Sequence, residues 1–136
     1  MVKELRKQAV LLSSVPENNI EDVIHLRYDT RLRERGFGRL HGTSDTNYHK
    51  VWEHDQKDAH HTEWDVESVS SVLCRTTQLL LELEKEFSTP TIIILIAHGD
   101  VLQILQTAFA SIHPSLHRTL PHLPTATPRE LSSILH

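Results

Sequence analysis

The chain has 136 residues, 38% of them hydrophobic, so one domain with an apolar core is expected. A formal net charge of −4 excludes a basic field for nucleic acid or for an acidic membrane surface. No apolar run approaches the roughly 20 residues of a membrane span, and the single cysteine, Cys74, rules out an internal disulfide and favours a reducing compartment, with the cytoplasm as the expected location.

The amino-terminal stretch MVKELRKQAVLL has no long apolar segment with a small-residue cleavage site, so no secretory signal is expected. Within it, Leu5, Ala9 and Leu12 share one helical face, which predicts a short helix over Lys3–Leu12. Pro16-Glu17-Asn18-Asn19 ends it as a loop. Val23–Tyr28 is predicted as a strand. Asp29–Gly42, DTRLRERGFGRLHG, is charged and punctuated by glycine, an ordered loop with a helical turn. Thr43–Thr62 is polar, anchored by Trp52, and is expected to form a lid with a short helix over Asn47–Lys57. Glu67–Phe87 carries one apolar stripe of Val69, Val72, Leu73, Thr76, Leu80, Leu83 and Phe87, the clearest helix of the chain.

Next come Ile92 to Ile96, five aliphatic residues in a row, running into Ala97-His98-Gly99-Asp100. Such a run predicts a strand over 91–97 buried on both faces of a parallel sheet. Val101, Leu102, Leu105 and Phe109 then predict a helix over 100–110. Pro114, Pro121, Pro124 and Pro128 mark an irregular return, with Glu130–Leu135 as a last edge strand. Alternation of strands and helices is the pattern of a layered α/β fold.

His98 therefore falls at the carboxyl end of a strand and at the mouth of a helix, where α/β sheets place ligands. The first N–H groups of that helix, beginning at Gly99, favour an anion, most simply phosphate. Glu34, among Arg31, Arg33 and Arg35, is either part of a surface ion-pair cluster or a general acid beside a phosphate, with Gly36 and Gly38 allowing close backbone approach. Glu67 sits where a helix dipole favours a carboxylate. The histidines at 49, 54, 60 and 61 have spacings of no helical metal pair and no cysteine beside them, so no metal is expected. His41-Gly42 has no strand leading into it and is loop.

Three segments, YDTRLRERGFGRLHG, VWEHDQKDAHHTEWDVESVSSVLCRT and IIILIAHGDVLQILQT, together resemble the histidine phosphatase superfamily, the phosphoglycerate mutase-like proteins. The resemblance runs in order from about residue 22 to the carboxyl terminus. It implies an α/β fold with a mostly parallel sheet in three layers, helices on both faces, over a single partial domain spanning 1–136. It implies that His98 supports a transferring phosphoryl group and that Glu34 gives the leaving group its proton and then activates water. Gly99 is the phosphate-binding residue that goes with this, Glu67 and Arg75 match structural positions, and Val66 stands where a glycine usually precedes the Glu-Ser pair. A small phosphorylated metabolite is the implied partner, with no cofactor, nucleic acid or membrane.

The resemblance also implies a nucleophilic histidine in an Arg-His-Gly motif on a first strand, and no Arg-His-Gly occurs in the 136 residues. The chain is accordingly expected to be an amino-terminally truncated relative of phosphomonoester hydrolases, weakly active or inactive as it stands. The alternative is a non-catalytic isoform or pseudophosphatase that binds phosphate or a protein partner.

Overall fold

The computed structural model describes residues 9–13, 24–88 and 90–132. Strand β1 (Ala9–Ser13) lies between β2 (Ile24–Tyr28) and β3 (Ile92–Leu95). Both pairings are antiparallel: Ala9 faces Tyr28 and Ser13 faces Ile24 on one side, and Val10 faces Leu95 and Ser13 faces Ile92 on the other. β2 and β3 thus run parallel to each other, but among the described residues neither pairs with a parallel neighbour, contrary to the mostly parallel sheet implied above. Positions 14–23 are too few for the crossover of a dozen or more residues that a parallel pairing of β1 and β2 requires. The helix expected over Lys3–Leu12 is overturned at Ala9–Leu12, which are strand; Lys3–Gln8 lie outside the described residues.

Helix α1 (Asp45–Lys57) begins at Ser44, whose hydroxyl accepts the Thr46 N–H at 3.4 Å. Helix α2 (Val69–Glu86) begins at Ser68, whose hydroxyl accepts the Ser71 N–H at 3.1 Å. It is unbroken by Gly or Pro and buries Val69, Val72, Arg75, Thr76, Leu79 and Leu83. The buried stripe therefore runs through Leu79, and Leu73 and Leu80 are only partly covered. Helix α3 (Gly99–Ala110) follows β3 and ends at Ser111 in a left-handed conformation. A 3₁₀ turn over Pro114–Thr119 opens the irregular return. Residues 130–132 of the expected edge strand are not strand, and 133–135 lie outside the described residues.

Three apolar clusters make the core. Leu32, Leu79 and Leu83 pack with Phe87, Ile93, Leu95 and Ala97, seating α2 on one face of the sheet. Ala59, Val69, Val72, Val101 and Ile104 join α2 to α3. Phe37, Val51 and Val66 form the third cluster with Leu40, Tyr48 and Trp64. Val51 is the buried apolar anchor of α1; Trp52, expected in that role, lies under the Arg118 guanidinium 3.7 Å from its ring centroid. β3 is not buried on both faces. Ile93 and Leu95 pack inward, while Ile92, Ile94 and Ile96 are 63%, 44% and 46% exposed. Among the described residues helices cover only one face of the sheet, so the strand's two-residue period leaves alternate isoleucines in water.

One corner of the fold depends on glycine. Gly38 has φ of +50°, and a Cβ there would run into the carbonyls of Trp64 and Asp65. Trp64 and Asp65 themselves have φ of 56° and 60°. The loop after β2 and the segment before α2 approach backbone to backbone here, which only a residue without a side chain permits.

Candidate functional site

His98 is the N-cap of α3, with extended backbone at φ −91° and ψ 155°. Its carbonyl accepts the Leu102 N–H at 2.9 Å, but its side chain makes no cap. The ring turns instead to the loop after β2, where Nδ1 stands 2.8 Å from Glu34 Oε2, an ion-pair distance without the alignment of a hydrogen bond. The other carboxylate oxygen of Glu34 accepts the Arg35 N–H at 2.9 Å. Leu32, fully buried against α2, holds that loop at the carboxyl end of β2. Two parallel strands thus deliver His98 and Glu34 to one place. The pair stays accessible, with side chains 22% and 41% exposed. Partial burial pushes the Glu34 carboxyl above the ordinary carboxylate range, outweighing the opposite pulls of the Arg35 N–H and of His98. Gly99 opens α3 beside His98, and a Cβ there would lie 3.4 Å from the His122 ring.

The backbone of the Glu34 loop is carried by Glu67 and Arg75. Arg75 donates Nε to Glu67 Oε1 at 2.8 Å and Nη2 to Oε2 at 3.1 Å, and it also reaches the carbonyls of Arg31 and Glu34. Glu67 Oε2 accepts the Gly36 N–H at 3.1 Å, and the Glu67 N–H donates to the Gly36 carbonyl at 2.7 Å. Burial alone would raise Glu67, but the Arg75 hydrogen bonds, the Gly36 N–H and the Arg33 charge together hold it below its ordinary value. Glu67 stands just before the cap of α2 and Arg75 within the helix, so one arginine grips both the carboxylate and the loop.

Each of the three arginines around Glu34 has a carboxylate partner. Arg31 is bound to Asp29 and Glu82, and Arg33 to Glu67. Arg35 is 1% exposed. It donates Nη1 and Nη2 to the two oxygens of Asp55 at 2.8 and 2.7 Å, Nη1 also to Asp100 Oδ2 at 3.2 Å, and Nε to the Glu67 carbonyl at 2.7 Å. His61 Nε2 stands 2.7 Å from Asp55 Oδ1, while its Nδ1 accepts the Glu63 N–H. Buried His117 completes the cluster, with Nδ1 3.1 Å from the Pro114 carbonyl and Nε2 3.3 Å from Asp100 Oδ1. That last contact is an ion-pair distance whose alignment falls short of a hydrogen bond, so both atoms remain unpartnered as hydrogen-bonding groups. Burial would raise Asp100, yet His117 and Arg35 together hold it below the ordinary range.

A profile of the histidine phosphatase superfamily (branch 1) matches residues 17–132. The chain belongs to the histidine phosphatase superfamily. No curated protein and no solved structure matches it. In this superfamily member, the three-layer sheet is not seen among the described residues. Among the described residues, no helix is long and apolar enough to cross a membrane, and no group of three or more His, Cys, Asp or Glu is disposed to hold a metal ion.

Sequence reasoning singled out His98, Gly99, Glu34, Glu67 and Arg75, and all five lie within one connected region of the fold. It did not find the Arg35–Asp55–Asp100–His117 cluster. Its members come from four separate segments, and nothing local marks Asp55 or His117 as partners. Asp100, directly after His98-Gly99, carried the one signal available.

Proposed function

We propose that this histidine phosphatase superfamily chain handles the phosphate of a small phosphorylated metabolite, with His98 flanking the phosphoryl group and Glu34 serving as proton donor. The observation that carries this reading is the 2.8 Å contact of His98 Nδ1 with Glu34 Oε2 at the mouth of α3. The contact is an ion-pair distance, and Nε2 has no partner among the described residues. The Gly99 N–H offers an adjacent anion donor. A carboxyl whose proton affinity is raised by burial is better suited to proton donation than an ordinary one. Glu67 and Arg75 serve as the support of the Glu34 loop.

No Arg-His-Gly lies in the 136 residues, so the chain alone lacks the family's phosphohistidine route. Purified as these 136 residues, it is expected to release phosphate from a generic phosphomonoester at a rate close to buffer and to form no acid-labile phosphohistidine. Inorganic phosphate is expected to shift the Gly99 amide resonance saturably in the wild type and not in His98→Ala. Robust turnover abolished by His98→Ala, or a Gly99 amide indifferent to phosphate, overturns the reading.

A further inference from the structure

We infer that Arg35 is a positioning residue, which through Asp100 sets the spacing between His98 and Glu34. This rests on the reading of those two residues as the working pair.

The contacts form a closed circuit. Glu34 Oε1 is held by the backbone N–H of Arg35. The guanidinium of the same Arg35 reaches Asp100 in the first turn of α3 at 3.2 Å. Asp100 stands two residues after His98, at the start of a rigid helix. His98 closes the circuit on Glu34 Oε2. Asp55 of α1 grips the guanidinium with two further bonds, and the Glu67 carbonyl takes Nε, so the arginine cannot rotate in its site. Four segments of chain are thereby tied to one planar fork. A buried ion cluster of this kind is weak evidence for stability, because desolvation offsets much of the attraction; its best-attested use is to fix one geometry. A lysine at position 35 would keep the charge but not the fork, and would have to abandon at least one of these partners.

The other groups that bear on the pair are Arg75, which reaches the Glu34 carbonyl, and the His122 ring beside Gly99. Neither belongs to the circuit; the Asp100 charge also acts on Glu34 directly, so Asp100→Asn is read beside Arg35→Lys, which keeps both charges.

The test is the proton position on the His98 ring of the full chain, read by long-range ¹H–¹⁵N NMR above the pH at which the ring is neutral. In the wild type, Glu34 is expected to hold a single tautomer with the proton on Nδ1. Glu34→Gln is expected to change that signature. Arg35→Lys is expected to replace the single form with a mixture of both tautomers, and Asp100→Asn to do the same. Gly38→Ala, which weakens the fold without touching the circuit, is expected to leave the signature intact. If Arg35→Lys does not fold, Asp100→Asn carries the test by itself. A folded Arg35→Lys or Asp100→Asn that retains the wild-type signature overturns the proposal alone. A wild type indistinguishable from Glu34→Gln removes the working pair as well, and with it the functional reading.

Discussion

Two carboxylates near the start of α3 have opposite fates. Glu34 has one histidine and one backbone N–H, stays 41% exposed in its side chain, and is pushed above the ordinary carboxylate range. Asp100 is nearly enclosed, yet Arg35 and His117 hold it below that range. Burial acts in the same direction on both. The difference is the local charge balance: Glu34 faces the Asp100 carboxylate as well as His98 and Arg75, while Asp100 has both Arg35 and His117 against it, and this decides the direction in which the proton affinity moves. A carboxyl short of cations remains available for proton transfer, while one saturated with them becomes a structural tie.

The strongest challenge to that comparison is Asp55→Ala. It strips Arg35 of its bidentate partner and leaves a buried cation with Asp100 as its one carboxylate partner among the described residues. A loss of about 3–5 kcal/mol in urea unfolding is expected, the usual cost of orphaning one member of a buried pair. A loss below about 1 kcal/mol, within the range of surface ion pairs, would show that solvent reaches the cluster and that the contrast with Glu34 is not one of burial.

Leu79→Ala provides a purely apolar reference. It opens space between α2 and the covered sheet face, beside Leu32 and Leu83, and is expected to cost about 2–5 kcal/mol in the same measurement. Gly38→Ala should cost about 1–3 kcal/mol, since its left-handed backbone and the carbonyls of Trp64 and Asp65 both oppose a side chain.

The smallest effect distinguishes the two carboxylates most sharply. A raised folded pKa at Glu34 means the folded chain holds that proton more tightly than the unfolded one. The associated stability is complete below the unfolded value of about 4.3 and is lost as pH rises through the folded value. Glu34→Gln is therefore expected to stabilise the chain at neutral pH, by no more than about 0.5 kcal/mol because solvent screens so exposed a side chain. Asp100 and Glu67 have lowered values and carry the opposite sign. Their stabilisation is present above about pH 4 and disappears as pH falls through their folded values. Unfolding curves of the wild type and Glu34→Gln between pH 3 and pH 8 check both signs; a Glu34→Gln variant less stable than the wild type at pH 7 would break the comparison.

The sequence by itself determined what depends on near neighbours. The helix over Val69–Glu86, the strand-to-helix passage through His98 and Gly99, and most of the helix of Asp45–Lys57 follow from periodicity and caps, which act over a few residues, although the choice of Leu79 over Leu80 and of Val51 over Trp52 as buried anchors does not. His98 was marked by its place at the end of a strand, whereas Glu34 stood in a charged loop and only the family resemblance singled it out. Tertiary structure decided the rest. The strand at Ala9–Ser13 owes its state to ladders with Ile24–Tyr28 and Ile92–Leu95, not to its own helical spacing of apolar residues. The pattern of five aliphatic residues could not say that only one face of β3 would be covered, because coverage belongs to whatever packs on the sheet. Nor could the run of arginines say which one would be buried. Arg35 is singled out by Asp55 and Asp100, 20 and 65 positions away in sequence, and electrostatic partnership at that separation exists only once the chain has folded and excluded water.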